Sequence, residues 1–430
     1  VHDELTAWAL VRDRAVALLV GVELLQGLAL GATTTALGWQ AYARAHDPLV
    51  LGLLGLAEFV PAAVLAIPAG HLADRRDRRW VGLAGLAGLA VVTLGLAADA
   101  AAGDTAVWPL YALAFGVGLA NAVANPAVSP LLAAAVPPAA LARMVAIATS
   151  TSQAAVIAGP ALGGILQRLG NPVPYLLAAG ASALAAAGIA ALPAAIGAAH
   201  VEEQEATLSD ALAGVRFILS VPPLLGAISL DLMAVLFGGV TALLPVFSSD
   251  ILHVGAVGNG LLRAAPGAGA LIMGIVLSAR PLRRRVGVTL FVVVAGYGAC
   301  TVLFGLSRSF ALSLVALAGL AAADMVSMLL RATIGPLFTP PALRGRVAAV
   351  ERVFIGASNE LGAFESGVAA AVIGAVPAVV LGGAASIVVA AVWAWRFPAL
   401  RHVDRFADIE PADAPARPRR DALRSRSRGP

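Results

Sequence analysis

The chain has no lysine, a single cysteine (Cys300), few aromatic residues (5%) and little charge of either sign (13% of 430 residues). So little charge excludes a soluble globule of this size, whose surface carries about twice that share. One cysteine excludes an intrachain disulfide framework and a cysteine-built metal centre. The six histidines (His2, His46, His71, His200, His253 and His402) fall at termini, loops or helix ends without ligand spacing, so neither metal nor cofactor is expected. The same inventory lacks the nucleophile–base and paired-acid constellations of a membrane enzyme; Asp231 with Asp324 is the one acid pair left open. An enzyme is therefore a remote alternative.

What is present is apolar: 60% of the residues. A run of roughly 20 apolar residues spans a bilayer as a helix. Twelve such stretches are predicted, at 15–42, 49–70, 80–100, 107–133, 143–166, 173–196, 223–247, 256–279, 286–306, 310–337, 347–372 and 375–397. They lack the period-two alternation of barrel strands, so the fold class is an all-α polytopic membrane protein. The first stretch is too long for a signal peptide and is read as retained.

Arginine carries all 29 positive charges, which give a formal net charge of +4. Their placement argues against nucleic acid as a partner. Arg44, Arg168 and Arg308 fall on one face, Arg263 and Arg331 fall inside stretches, and the other 24 gather on the opposite face. That bias predicts cytoplasmic termini and a multi-pass protein of the inner membrane, with the lipid bilayer as its surroundings.

The chain divides into a first six-helix bundle (1–196), a cytoplasmic linker (197–222), a second bundle (223–397) and a disordered, arginine-rich tail (398–430). The bundles repeat. Pro137-Pro138-Ala139 with Arg143 recurs as Pro340-Pro341-Ala342 with Arg346, an offset of 203 residues that also pairs Gly159 with Gly362 and Gly164 with Gly367. Parallel repeats of six helices are a transporter architecture, with the substrate site between the repeats near the midplane.

After the second stretch comes Gly70-His71-Leu72-Ala73-Asp74-Arg75-Arg76-Asp77-Arg78-Arg79. It resembles the loop of the major facilitator superfamily, Gly-x-Leu-Ala-Asp-Arg-x-Gly-Arg-Arg, with Asp77 replacing the second glycine. Gly70 is expected to let a helix end pack closely, and Asp74 to accept from free N–H groups at a helix start. The resemblance implies that Asp74, with Arg75, Arg78 and Arg79, forms a gate that holds the halves together, against the helix start near Arg346. In the fifth stretch, Ala155 through Gly164 is similar to the superfamily's antiporter motif at Gly159, Pro160, Gly163 and Gly164. The alternative there is ordinary small-residue packing. Gly38-Trp39-Gln40-Ala41-Tyr42 and Arg344-Gly345-Arg346-Val347 resemble the branch that contains enterobactin and macrolide exporters.

Charged groups within the membrane are functional or paired. Asp324 and Glu360 sit deepest, followed by Glu58 and Asp231, and these four are the candidates for proton coupling. The family's cavity helices (first, fourth, seventh and tenth) imply Glu23, Gln26, Thr33, Thr34, Asn121, Asn125, Met328 and Arg331 as further cavity candidates. Asp324, Met328 and Arg331 share one helix face; each charge faces the cavity or pairs with another helix. The expected protein is a monomeric, proton-coupled exporter of a small molecule such as a drug, siderophore or secondary metabolite. Proton-coupled uptake of a metabolite is the alternative.

Overall fold

The computed structural model describes residues 12–103, 105–197, 208–282 and 284–406; the side chains of Ala66, Ile67, Asp74, Ala195 and 208–211 lie outside that description. The first half contains α1 (Arg14–Ala45), α2 (Pro48–Arg75), α3 (Arg78–Ala102), α4 (Trp108–Ala134), α5 (Leu141–Leu166) and α6 (Val173–Ala190). The second contains α7 (Pro222–Phe237), α8 (Gly255–Ala279), α9 (Val286–Leu306), α10 (Phe310–Phe338), α11 (Arg344–Ile373) and α12 (Ala375–Arg396). Among the described residues, eleven of these segments are long and apolar enough to cross a membrane. The twelfth, α11, is 30 residues long but carries Glu351, Arg352, Glu360 and Glu365.

Short polar caps set the helix starts. Asp13, Asp47 and Asp77 each accept a backbone N–H from the first turn of α1, α2 and α3, at 2.9 Å in each case, which satisfies donors the helix leaves open. Asp77 is also bonded by Arg79 (Nη2 to Oδ2, 2.9 Å), while Arg79 Nη1 donates to the Leu192 carbonyl past the end of α6. That arginine holds the Asp77 carboxyl below its ordinary range, against a smaller opposing effect of burial.

Two expected boundaries change. The seventh stretch is not one helix: α7 stops at Phe237, a 3-10 turn follows over Val240–Leu243, and a π-helical turn covers Phe247–Ile251. Adjacent glycines, Gly238 and Gly239, sit at the break and weaken helix continuity. Residues 398–406, expected to be without fold, form the short helix Pro398–Arg401 and bond back to the start of α9 through the Gly287 N–H and the Val403 carbonyl (3.0 Å). Leu400 is fully buried there, with Val403 and Phe406 packed beside it. The rest of the tail, 407–430, lies outside the described residues.

The two bundles meet unevenly. At the end away from the arginine-rich loops, Tyr42 and Leu51 share one apolar core with Leu243, Phe247, Leu262 and Ala370 of the second half. The backbones touch there. A Cβ at Gly164 would lie 2.8 Å from the Gly260 Cα, and one at Gly367 would lie 2.8 Å from the Gly52 Cα, so α5 packs on α8 and α2 on α11 at glycine distance. The Tyr42 hydroxyl donates to Asp250 across the same junction. Toward the arginine-rich end the halves part: a Cβ at Gly70, Gly345 or Gly356 would meet nothing within 4 Å. The linker helix Leu208–Ser220 docks on the second half through Ile218, which is buried with Leu224, Val347 and Val350.

Candidate functional site

A cavity of about 490 Å³ lies between the halves, just inside the sealed end. Glu58 enters it from α2, Arg263 from α8, Asp324 from α10 and Glu360 from α11. Glu58, Arg263 and Glu360 interact electrostatically across the junction. Thr34 of α1, Tyr297 of α9, Asn359 of α11 and Thr241 add to the polar wall. The Tyr297 hydroxyl donates to the Gly238 carbonyl (2.9 Å) at the α7 break, so this tyrosine braces the point where the helix ends. Leucines 37, 51, 54 and 320 supply the apolar wall.

Arg331 sits elsewhere. Its Nη2 meets Asp231 Oδ1 at 2.8 Å, its Nη1 lies 3.8 Å from Glu351 Oε1, and its Nε is 3.4 Å from Ser327 Oγ. Both Arg331 and Asp231 side chains are under 10% exposed. This triad ties α7, α10 and α11 inside the second half. Of the two alternatives for Asp324 and Arg331, Asp324 faces the cavity and Arg331 pairs with another helix.

Several cavity candidates lie outside the lining. Asn121 is buried and Asn125 bonds Gln26 (2.9 Å). The fourth helix packs on the second at Gly118, whose backbone lies against the Glu58 carbonyl. Charge reaches the cavity from α2, α8, α10 and α11, and α4 carries no charged residue. Thr33 is fully buried with its hydroxyl unpartnered, and Met328 is 47% exposed on α10. Glu23 lines a second cavity of about 320 Å³ nearer the arginine-rich end, with Ser129, Met144, Thr149 and Gln153 of the same half. Arg263, Tyr297 and Asn359 line the central cavity but were not sequence candidates. The signal for Arg263 was present, since an arginine inside an apolar stretch is costly unless used.

The motif residues take these positions. Gly70 lies within α2 rather than at its end, because the helix continues to Arg75, and it makes no close packing. The Asp74 side chain lies outside the described residues. Arg75 is exposed and Arg78 is buried at the start of α3. The linker helix packs on one side of the start of α11, where Asp74 was expected: a Cβ at Gly214 would lie 2.9 Å from the Arg346 carbonyl oxygen, while 344–346 stay exposed. Gly159 and Gly163 of α5 pack on Gly31 and Ala32 of α1, with Pro160 against Gly31, while Gly164 faces α8 across the junction. The seam thus serves both bundle cohesion and the contact between halves.

Comparison with known proteins bears on this arrangement. The enterobactin exporter EntS of Citrobacter koseri is 28% identical over 330 residues, 74% of this chain and 76% of the relative. EntS of Shigella boydii matches to the same extent. Among solved structures, a POT family transporter superposes with a TM-score of 0.71 at 12% identity, covering 90% of this chain and 96% of that one. A bacterial homologue of the human lysosomal transporter Spinster, inward-facing and unoccupied, gives 0.67 at 14% identity, covering 91% and 96%. These structural likenesses establish fold alone. The profile of the Major Facilitator Superfamily matches residues 19–357. Twelve helices in two bundles around a charged central cavity fit that match, and the chain belongs to the Major Facilitator Superfamily, a family of secondary transporters and not of enzymes.

Proposed function

We propose that this protein is a proton-coupled exporter of a small molecule in the inner membrane, a monomer with both termini cytoplasmic. The observation that carries the coupling is the cavity itself: carboxyl groups from both halves, Glu58 from one and Asp324 and Glu360 from the other, face a single space. A carboxyl group there can exchange a proton for cargo as the halves rock. Residues 1–196 and 223–397 are the moving bodies and 197–222 is their tether. The arginine bias of the loops supports the orientation. Export, rather than uptake, is supported by the 28% identity to EntS and by the glycine–proline seam of α5. Asp74 with Arg75, Arg78 and Arg79 is the gate in this reading, engaged when the arginine-rich end closes.

The test uses everted membrane vesicles with a proton gradient followed by acridine-dye quenching. Adding a transported compound should release protons, and Asp324→Asn or Glu360→Gln should abolish the release. Unchanged release in both variants removes these residues from coupling. Accumulation of the compound only when the gradient is reversed makes the protein an uptake system.

A further inference from the structure

The charges of the central cavity do not balance. Three carboxyl groups (Glu58, Asp324 and Glu360) face one guanidinium, Arg263. Arg263 makes no hydrogen bond and no ion pair within 4.0 Å among the described residues, although Glu58 and Glu360 act on it electrostatically. Its single charge is therefore set at a distance against two acids, which leaves one acid in excess around it; Asp324 is acted on by Arg331 instead. The backbone adds to the same sign. α7 is 16 residues long and ends at Phe237 beside the cavity, with Val235, Gly238 and Gly239 in the lining. The last carbonyls of a helix present a partial negative charge. The aromatic ring of Tyr297 lines the same wall, and its π-system attracts cations.

From this balance we infer that the cavity takes a small organic cation: a molecule with one positively charged nitrogen and an apolar body, the nitrogen lying between Glu58 and Glu360. The inference rests on the transport reading above and names its substrate class. A volume of about 490 Å³ matches a drug-sized ligand, and the leucine wall suits the apolar body. The position has a mechanical consequence. Glu58 belongs to one half and Glu360 to the other, so a bound cation replaces repulsion between two acids with attraction of both to one charge. An anion in that place gains Arg263 but faces Glu58, Glu360 and a helix C-terminus.

The test measures binding to the full-length protein in detergent, by fluorescence polarisation and without any gradient. Ethidium is the permanent cation and fluorescein the anion of similar size. Ethidium should bind saturably, and at least roughly tenfold more tightly than fluorescein. Glu58→Gln and Glu360→Gln should each weaken ethidium roughly tenfold, and Arg263→Gln should tighten it by a similar factor. Damage to the fold weakens binding, so the tightening reports charge. Absence of ethidium binding, equal or tighter binding of fluorescein, or weakening by Arg263→Gln overturns the inference. The wild-type comparison decides even if a variant does not fold. Because no gradient is used, ethidium binding without proton release in vesicles sinks the coupling proposal alone; proton release by an anionic compound that also binds more tightly sinks the cation assignment alone.

Discussion

Arg331 of α10 and Arg263 of α8 both lie deep inside membrane-spanning helices, and their surroundings differ. Arg331 is clasped by Asp231 at 2.8 Å, with Glu351 and Ser327 near by, in a wall that joins three helices of one bundle. Arg263 faces the cavity with no ion-pair partner within 4.0 Å among the described residues, and its balancing acids come from both bundles. A charge buried in low dielectric requires compensation. Where compensation is direct and local, the arginine fastens helices. Where it is distant and shared across a moving junction, the charge remains available to a ligand. Arg79 is the less buried counterpart of Arg331: its side chain is 16% exposed and it bonds Asp77, 27% exposed, in the connection between α2 and α3.

Three substitutions measure that gradation. Arg331→Met should have the largest effect, destabilising the protein by about 3–5 kcal/mol, because Asp231 and Glu351 are left uncompensated. Thermal unfolding in detergent reads it, and adding Asp231→Asn should recover most of the loss. Asp77→Ala should cost about 1 kcal/mol through the lost helix cap. The folded Asp77 pKa lies below the ordinary 3.8 because of Arg79. Its contribution is therefore complete above that value and is lost as pH falls through the lower, folded one; in the variant this acid-dependent part of the melting curve should disappear. Arg263→Met should have the smallest effect on stability, below about 1 kcal/mol, since no ion pair within 4.0 Å is broken and the acids left behind, Glu58 and Glu360, face an open cavity rather than packed protein. A loss as large as that of Arg331→Met would place Arg263 among the structural pairs.

Much of the architecture was legible in the chain. Twelve apolar runs, the 203-residue offset between Arg143 and Arg346 and the loop after the second run are local or periodic patterns, and each points to the same two-bundle transporter. The site was legible only in part. Asp324, Glu360 and Glu58 stood out because any carboxyl group inside an apolar run does, and all three face the cavity. Asn121, Asn125 and Met328 were also candidates, and none of the three is in the lining of this cavity. The break of α7 at Gly238 and Gly239 was missed because hydropathy continues unbroken through it, while the break itself depends on backbone conformation at two glycines.

The sequence by itself determined that the chain crosses a membrane repeatedly as helices and where its arginine-rich connections fall between them. Those properties follow from the length and charge of contiguous segments, and the bilayer enforces them on each segment separately. Only the tertiary structure decided which charges meet. Asp231 and Arg331 are 100 positions apart, as an observer counts along the chain, yet touch at 2.8 Å, whereas Arg263 and Glu360, nearly as far apart, do not pair. Electrostatic partnership falls steeply with distance in three dimensions, and those distances are set by where glycine allows one helix to lie against another.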